Sequence, residues 1–387
     1  MPSRLLAFIG LAFSVLLLAA CGRGPAQTWP GVAADSQYAY IAQGQQVHAV
    51  NLADGKQVWA FPTAANNNVS QIVSQPGVGA NVIVVGSEGA TSSYSGIAYG
   101  LDRSAGTQKW CLAFDKKGAD AQNCPLAGGA ATGSFLGIGP AVDDRILGGV
   151  AVSNNVAYFG LASGMVYAVD AETGKDLWHY KTERDVWAAP LVVNDTVYVT
   201  SLDHHVYALD RATGNPRWVK DMGAAVAGEA AFDQGMLFVG TFGNRMAALD
   251  AATGEEKWSF TTLNWVWSGP AVGKGVLYLA DVSGNVFAVD ETSGTQIWTT
   301  KPGGQMRARP TLAGDNLYVG DHDGHMFALN PADGTSRWTT AHTTKGQLLV
   351  PPVVVSNTVL FAPYTGDNLL EAYNPDGGLI WPFNPPK

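Results

Sequence analysis

Charge is scarce in this chain: only 14% of its 387 residues are Asp, Glu, Lys or Arg, with a formal balance of −9 and no block of like charge. A chain without a basic face does not neutralise phosphates, so nucleic acid is excluded as a partner. Cysteines number three, and none stands among the closely spaced ligands that a zinc site needs. Sharp catalytic signatures are missing too. There is no Gly-x-Ser-x-Gly elbow, no phosphate loop and no Cys-x-x-Cys-His haem attachment. The apolar run from Leu5 to Leu18 is too short and too near the terminus for a stable membrane span.

What the chain has in abundance is repetition. Trp178, Trp218, Trp258, Trp298 and Trp338 follow one another at 40-residue intervals, and Trp59, Trp110 and Trp381 close the same phrase elsewhere. A fixed period of this size marks a repeat architecture. The cleanest copy reads Val166-Tyr-Ala-Val-Asp170-Ala-Glu-Thr173-Gly174-Lys-Asp-Leu-Trp178. Apolar alternation before the aspartate predicts a strand. The aspartate can hold the amides that follow it, the glycine supplies a positive φ, and a second strand then carries the tryptophan. Small residues precede each turn in a column, Ala49, Gly100, Ala168, Ala208, Ala248, Ala288, Ala328 and Ala372, expected to admit the indole of a neighbouring unit.

Each repeat holds two earlier strands, as in Ala189-Pro190-Leu191-Val192-Val193 and Asp195-Thr196-Val197-Tyr198-Val199, so the unit is four short antiparallel strands without a helix. Eight such units predict an all-β fold, an eight-bladed β-propeller, because a closed ring leaves no bare end face. The eight phrase-closing tryptophans are then structural. The expected layout is a secretory signal over 1–20, a tether over 21–28 and one monomeric propeller over 29–387, with an insertion at about 111–144.

Met1-Pro-Ser-Arg4, the apolar run and the small residues after it have the pattern of a secretory signal. Leu18-Ala19-Ala20-Cys21 resembles the lipobox of bacterial lipoproteins, which implies an acylated Cys21 and a place on a membrane surface outside the cytoplasm. Gly22 stands where an inner-membrane retention signal would place Asp. In a two-membrane envelope this implies the periplasmic side of the outer membrane, and otherwise the outer face of the cell membrane. In such an oxidising compartment Cys111 and Cys124 are expected to pair as a loop disulfide.

Where the scaffold repeats, the segments that open the innermost strands do not. They read Glu183-Arg184-Asp185-Val186-Trp187, Leu263-Asn264-Trp265-Val266-Trp267 and Gln305-Met306-Arg307-Ala308-Arg309. Variation on a constant frame is the mark of a binding surface. Asp185, Trp187, Trp265, Trp267, Arg307 and Arg309 are therefore the candidate partner or ligand site, with Trp29 a further member at the first blade. Histidines cluster at Asp203-His204-His205 and at Asp321-His322-Asp323-Gly324-His325, on hairpins between second and third strands. Turn chemistry accounts for both, so no metal is expected, and no residue stands out as catalytic.

The phrase Ala-[Leu/Val]-Asp-x-x-Thr-Gly-x-x-x-Trp resembles the pyrroloquinoline-quinone-like, or quinoprotein-type, propeller repeat, from about Trp29 to Trp381. Two unlike groups share it. Quinoprotein alcohol dehydrogenases hold the quinone and a calcium ion beside a disulfide of adjacent cysteines, and this chain has no adjacent cysteines. The other group includes the BamB lipoprotein of the outer-membrane barrel assembly machinery. Its members often open an inner strand with Asp-Val-Asp-Thr-Thr-Pro, which Asp185-Val186-Trp187-Ala188-Ala189-Pro190 matches at Asp185, Val186 and Pro190. The resemblance implies a non-catalytic, lipid-anchored scaffold without a cofactor that docks a protein or a cell-wall glycan. The alternative it leaves is a dehydrogenase using the quinone with calcium.

Overall fold

A computed structural model describes residues 31–63, 71–88, 96–115, 118–120, 144–339 and 341–386 of the chain. The signal, the tether, Cys21, Trp29 and Cys124 lie outside the described residues. Blade 4 shows how the sequence becomes structure. Its strands run Leu191–Val193, Thr196–Thr200, His205–Asp210 and Pro216–Asp221, hydrogen-bonded in that order from the axis outward. Branched and aromatic residues fill the second and third strands, which are buried on both faces between blades. The outer strand alternates, hiding one face and wetting the other.

Eight such sheets follow one another along the chain and close into the eight-bladed β-propeller that the repeat predicts. The inner strands of blades 4, 6 and 7 begin one residue after Pro190, Pro270 and Pro310, where the sequence pattern suggests a start just before them. Proline has no N–H to give to a ladder, so it stands outside the strand. Blade 2 carries a fifth strand: its outer strand Gln108–Asp115 pairs with Gly118–Asp120. The insertion expected at 111–144 thus starts as a continuation of that blade, and Cys111 is buried within it.

The phrase-closing tryptophans join blade to blade. Each indole Nε1 donates to the carbonyl that follows the turn residue of the next blade, Trp178 to Arg211, Trp218 to Ala251, Trp258 to Glu291 and Trp298 to Pro331, at 2.9–3.1 Å. Each ring also covers the turn glycine of that next blade. A Cβ built on Gly214 or Gly294 would stand 2.6 Å from Cε3 of Trp178 or Trp258. These glycines have φ of 73° and 70°, so both the bare Cα and the positive φ are required. The small-residue column has a different role from the one its spacing suggests. Ala168, Ala208, Ala248 and Ala288 pair across the sheet with the tryptophan of their own blade and leave room for it to lie flat. The neighbouring unit is met at the turn glycine instead.

Trp381 donates to Leu52 O at 3.0 Å and covers Gly55, which repeats the contact between the last blade and the first. Both blades are built from contiguous chain, so the ring closes through side chains and without strand exchange.

One seam carries a charge anomaly. The residue after the turn Asp reaches back toward the inner hairpin of the preceding blade. Arg103 bonds Asp35 there at 2.7 Å, and Arg211 bonds Ser153 O at 3.0 Å. Blade 6 places Glu291 at this position. Glu291 is buried, and neither carboxylate oxygen has a hydrogen-bond partner. Burial, together with the Asp233 carboxylate nearby, holds its acid above the usual carboxyl range. The folded chain therefore binds this proton more tightly than the unfolded chain. The stability it contributes is present below the unfolded pKa and is lost as pH rises through the folded one.

Two stability tests follow. Gly275 has φ of 79° with open space where a Cβ would go, so Gly275→Ala pays only the left-handed penalty of about 1 kcal/mol. Gly294→Ala meets Trp258 as well and should cost about 1–3 kcal/mol more in urea unfolding. Equal losses would show that the indole does not seat on the turn. Glu291→Gln should raise Tm at pH 7, with the difference from wild type closing as pH falls toward 4. A difference that does not change with pH would rule out the buried acid as its cause.

Candidate functional site

The variable segments are held in place by the hairpins between second and third strands. Leu202 N donates to Asp185 O, Val266 N to Thr241 O, Val282 N to Trp265 O and His322 N to Gln305 O, at 2.7–3.1 Å. Extended backbone then alternates its side chains. Val186, Val226, Val266 and Met306 turn into the blade seams and are fully buried. The residues between them line the channel in tiers, one residue from each blade per tier.

In one tier the blades 4 to 7 present Trp187, Ala227, Trp267 and Arg307. Trp187 and Trp267, two blades apart, meet with ring centroids at 6.3 Å, and the small Ala227 of the blade between leaves them room. Cζ of Arg307 lies 4.9 Å from the Trp267 ring centroid, a cation–π geometry. Val73, Leu147 and Leu349 continue this apolar tier around a cavity of about 430 Å³. The next tier inward reads Ala189, Glu229, Gly269 and Arg309. Arg309 Nη1 reaches Glu229 Oε2 at 3.2 Å, again bridging a blade whose residue is small. A wider cavity of about 660 Å³ opens beyond this pair, along the inner strands.

Outward of both tiers, Trp187 Nε1 donates to Asp185 Oδ2 at 3.2 Å. Trp265 stacks on Phe242 with centroids 5.1 Å apart and planes at 15°, and Phe242 touches Trp267 at 5.0 Å. Trp265 remains 47% exposed and its neighbour Leu263 74% exposed, so the mouth presents an apolar shelf to solvent.

The structure thus brings Asp185, Trp187, Trp265, Trp267 and Arg307 into one cluster, and sets Arg309 a tier deeper in an ion pair of its own. Sequence reasoning missed Phe242, Leu263 and Glu229. Phe242 had a signal: in the hairpin Thr241-Phe242-Gly243-Asn244 it is an aromatic ring where the neighbouring repeats have Ala162, Leu202, Val282 and His322. Glu229 had one as well, as a lone acid in line with Ala189 and Gly269.

The histidine hairpins also resolve. Asp321, Asp323 and His325 gather closely enough for one ion to touch all three. Asp321 is already committed, however. Its oxygens accept the amides of Asp323, His325 and Gly304 and the His325 ring at 2.8–3.0 Å, which anchors the hairpin to the segment that carries Arg307. Asp203 does the same in blade 4, accepting from Glu183 N and from the Tyr207 hydroxyl at 2.9 and 2.7 Å.

Repeat, ring and aromatic mouth together define the chain as an eight-bladed propeller of quinoprotein-type repeats. The pattern of the family described as "Outer membrane protein assembly factor BamB" matches it twice, over residues 95–261 and 202–366. The chain belongs to this family. Its fold is similar to the crystal structure of BamB from Moraxella catarrhalis, with a TM-score of 0.66 at 19% identity over 86% of this chain and 90% of that one. The computationally designed protein Ika8 is similar at the same TM-score, with 14% identity over 91% of this chain and 95% of its own. A designed ring matching this well marks the likeness as one of fold. No curated protein matches the chain.

Phe242→Ala should remove the stack beneath Trp265 at a cost of about 1 kcal/mol or less in unfolding free energy. The near-ultraviolet circular dichroism of the tryptophan cluster should fall with it. An unchanged spectrum would mean that the rings do not stack in solution.

Proposed function

We propose that the protein is a non-catalytic scaffold, lipid-anchored through Cys21 outside the cytoplasm, that docks a protein partner of envelope assembly on the aromatic mouth of blades 4 to 7. The observation that carries this is the shelf of Trp265 and Leu263, exposed to water at 47% and 74% beside the stacked Phe242 and Trp267. Aromatic residues and arginine are the types enriched where interfaces bind most strongly. The rest of the ring has no comparable cluster among its described residues. Its other exposed large apolar side chains, Val58, Leu177, Val219, Ile297 and the adjacent Leu379 and Ile380, sit on outer strands, away from the mouth. Family membership supports the same reading, since the family is described by an assembly role at the outer membrane.

The chemistry of the channel also favours docking over catalysis. A calcium-bound quinone asks for six to eight oxygen ligands on the ion and cations for its carboxylates. In the tier below the mouth the carboxylate is Glu229, and Arg309 engages it. The described lining fits that group poorly. The expected Cys111 to Cys124 disulfide would staple the insertion that follows the outer strand of blade 2.

Two variants test the proposal in the native membrane. Cys21→Ser should move the protein from the membrane to the soluble fraction. Trp187→Ala with Trp265→Ala should leave it anchored and folded but release co-purifying protein, by roughly tenfold or more if both rings are hot spots. Equal partner recovery from wild type and the double variant would place the docking surface elsewhere.

A further inference from the structure

The two arginines of the site are in different chemical states. Arg309 is neutralised by Glu229 at 3.2 Å. Arg307 lies against the face of Trp267, and among the described residues its guanidinium has no hydrogen-bond acceptor and no carboxylate partner. The nearest acid in the cluster by sequence register, Asp185, is turned to the Trp187 indole. Five N–H donors are therefore held in a fixed plane, half-buried, at the rim of an apolar cavity. A guanidinium ordered in this way is set up for a planar two-oxygen acceptor.

Resting on the docking reading above, we infer that the partner presents an extended segment with a carboxylate beside a large apolar side chain. The carboxylate pairs with Arg307. The apolar side chain lies on the open face of Trp265 next to Leu263. The two features are neighbours on one surface, because Phe242 touches both Trp265 and Trp267, and Arg307 covers Trp267. The cavity of about 430 Å³ at the rim has room for side chains of a protruding loop. Charge narrows the partner further. The chain as a whole carries −9, so an acidic segment is repelled over most of the surface and gains at Arg307. A neutral sugar polymer would stack on the tryptophans but brings no acid to the guanidinium, and Leu263 offers it nothing.

Random linear dodecapeptides displayed on phage, selected against the immobilised full chain, read this directly. Enriched peptides should carry Asp or Glu within two positions of an aromatic or aliphatic residue. Their binding should fall roughly ten- to a hundredfold with Arg307→Gln, the loss expected for a charge-assisted hydrogen bond. A separate selection on Arg307→Glu should enrich Lys or Arg in place of the acid. Each variant is first checked for wild-type Tm.

Peptides that require Trp265 but show no acidic preference would overturn this inference and leave the docking surface standing. The same motif emerging on Arg307→Glu would do so too. Peptides indifferent to Trp265→Ala, or no enrichment at all, would overturn the docking surface itself. Soluble chitin oligosaccharides, which carry no carboxylate, would replace the acidic segment with a glycan if they bind wild type and lose binding with Trp265→Ala.

Discussion

Everything in this ring depends on one contact repeated from blade to blade: an indole N–H donated to the carbonyl just past the next blade's turn, with the ring lying over that turn's glycine. The contact spans 2.8–3.1 Å at all eight junctions, from Trp59 on Arg103 to Trp381 on Leu52. A single bond of this kind adds only about 1 kcal/mol net. Its weight comes from geometry. The indole is nearly buried, its donor is satisfied, and the bare glycine allows an approach that any Cβ would block. Because the same contact joins the last blade to the first, the ring needs no shared strand to stay shut.

A frame held at its outer rim leaves its inner rim free to vary. The segments that open the inner strands are fixed through backbone bonds to neighbouring hairpins and through one buried side chain each, Val186, Val226, Val266 or Met306. The residues between those anchors carry no structural duty. They therefore differ from blade to blade, and the differences are paired. Trp187 and Trp267 meet over Ala227, and Glu229 and Arg309 meet over Gly269. Side chains two blades apart touch only where the blade between is small, so a small residue in this register is part of the site as much as the large ones.

That pairing explains what could and could not be read from the sequence. The blade count, the turn glycines and the structural tryptophans were legible, because each is a local rule repeated at one period. Trp187, Trp265, Trp267 and Arg307 were legible as departures from it. Phe242 and Glu229 left only a weak trace, each an odd residue in its column, since each belongs to the site through a contact between blades that no spacing along the chain encodes. The alanine column shows the converse. Its regularity is plain, but whether it faces its own tryptophan or a neighbour's depends on register across the sheet, where Ala208 opposes Trp218. The fifth strand of blade 2 carries no periodic signal, because it pairs within the insertion that breaks the repeat.

The asymmetry of the mouth has a physical consequence of its own. A ring of eight like units would offer a partner eight equivalent ways to dock. Here the aromatic cluster occupies blades 4 and 6, with Phe242 of blade 5 between them and the Arg307 cation supplied by blade 7. The corresponding positions in blades 2, 3 and 8 are Val73, Leu147 and Leu349, which are apolar, uncharged and without rings. Only one rotational setting lays an apolar side chain on Trp265 and a charge on Arg307 together. The repeat supplies rigidity, and its exceptions supply orientation. A rigid propeller can therefore hold a partner in one fixed direction, although its scaffold is close to eightfold symmetric.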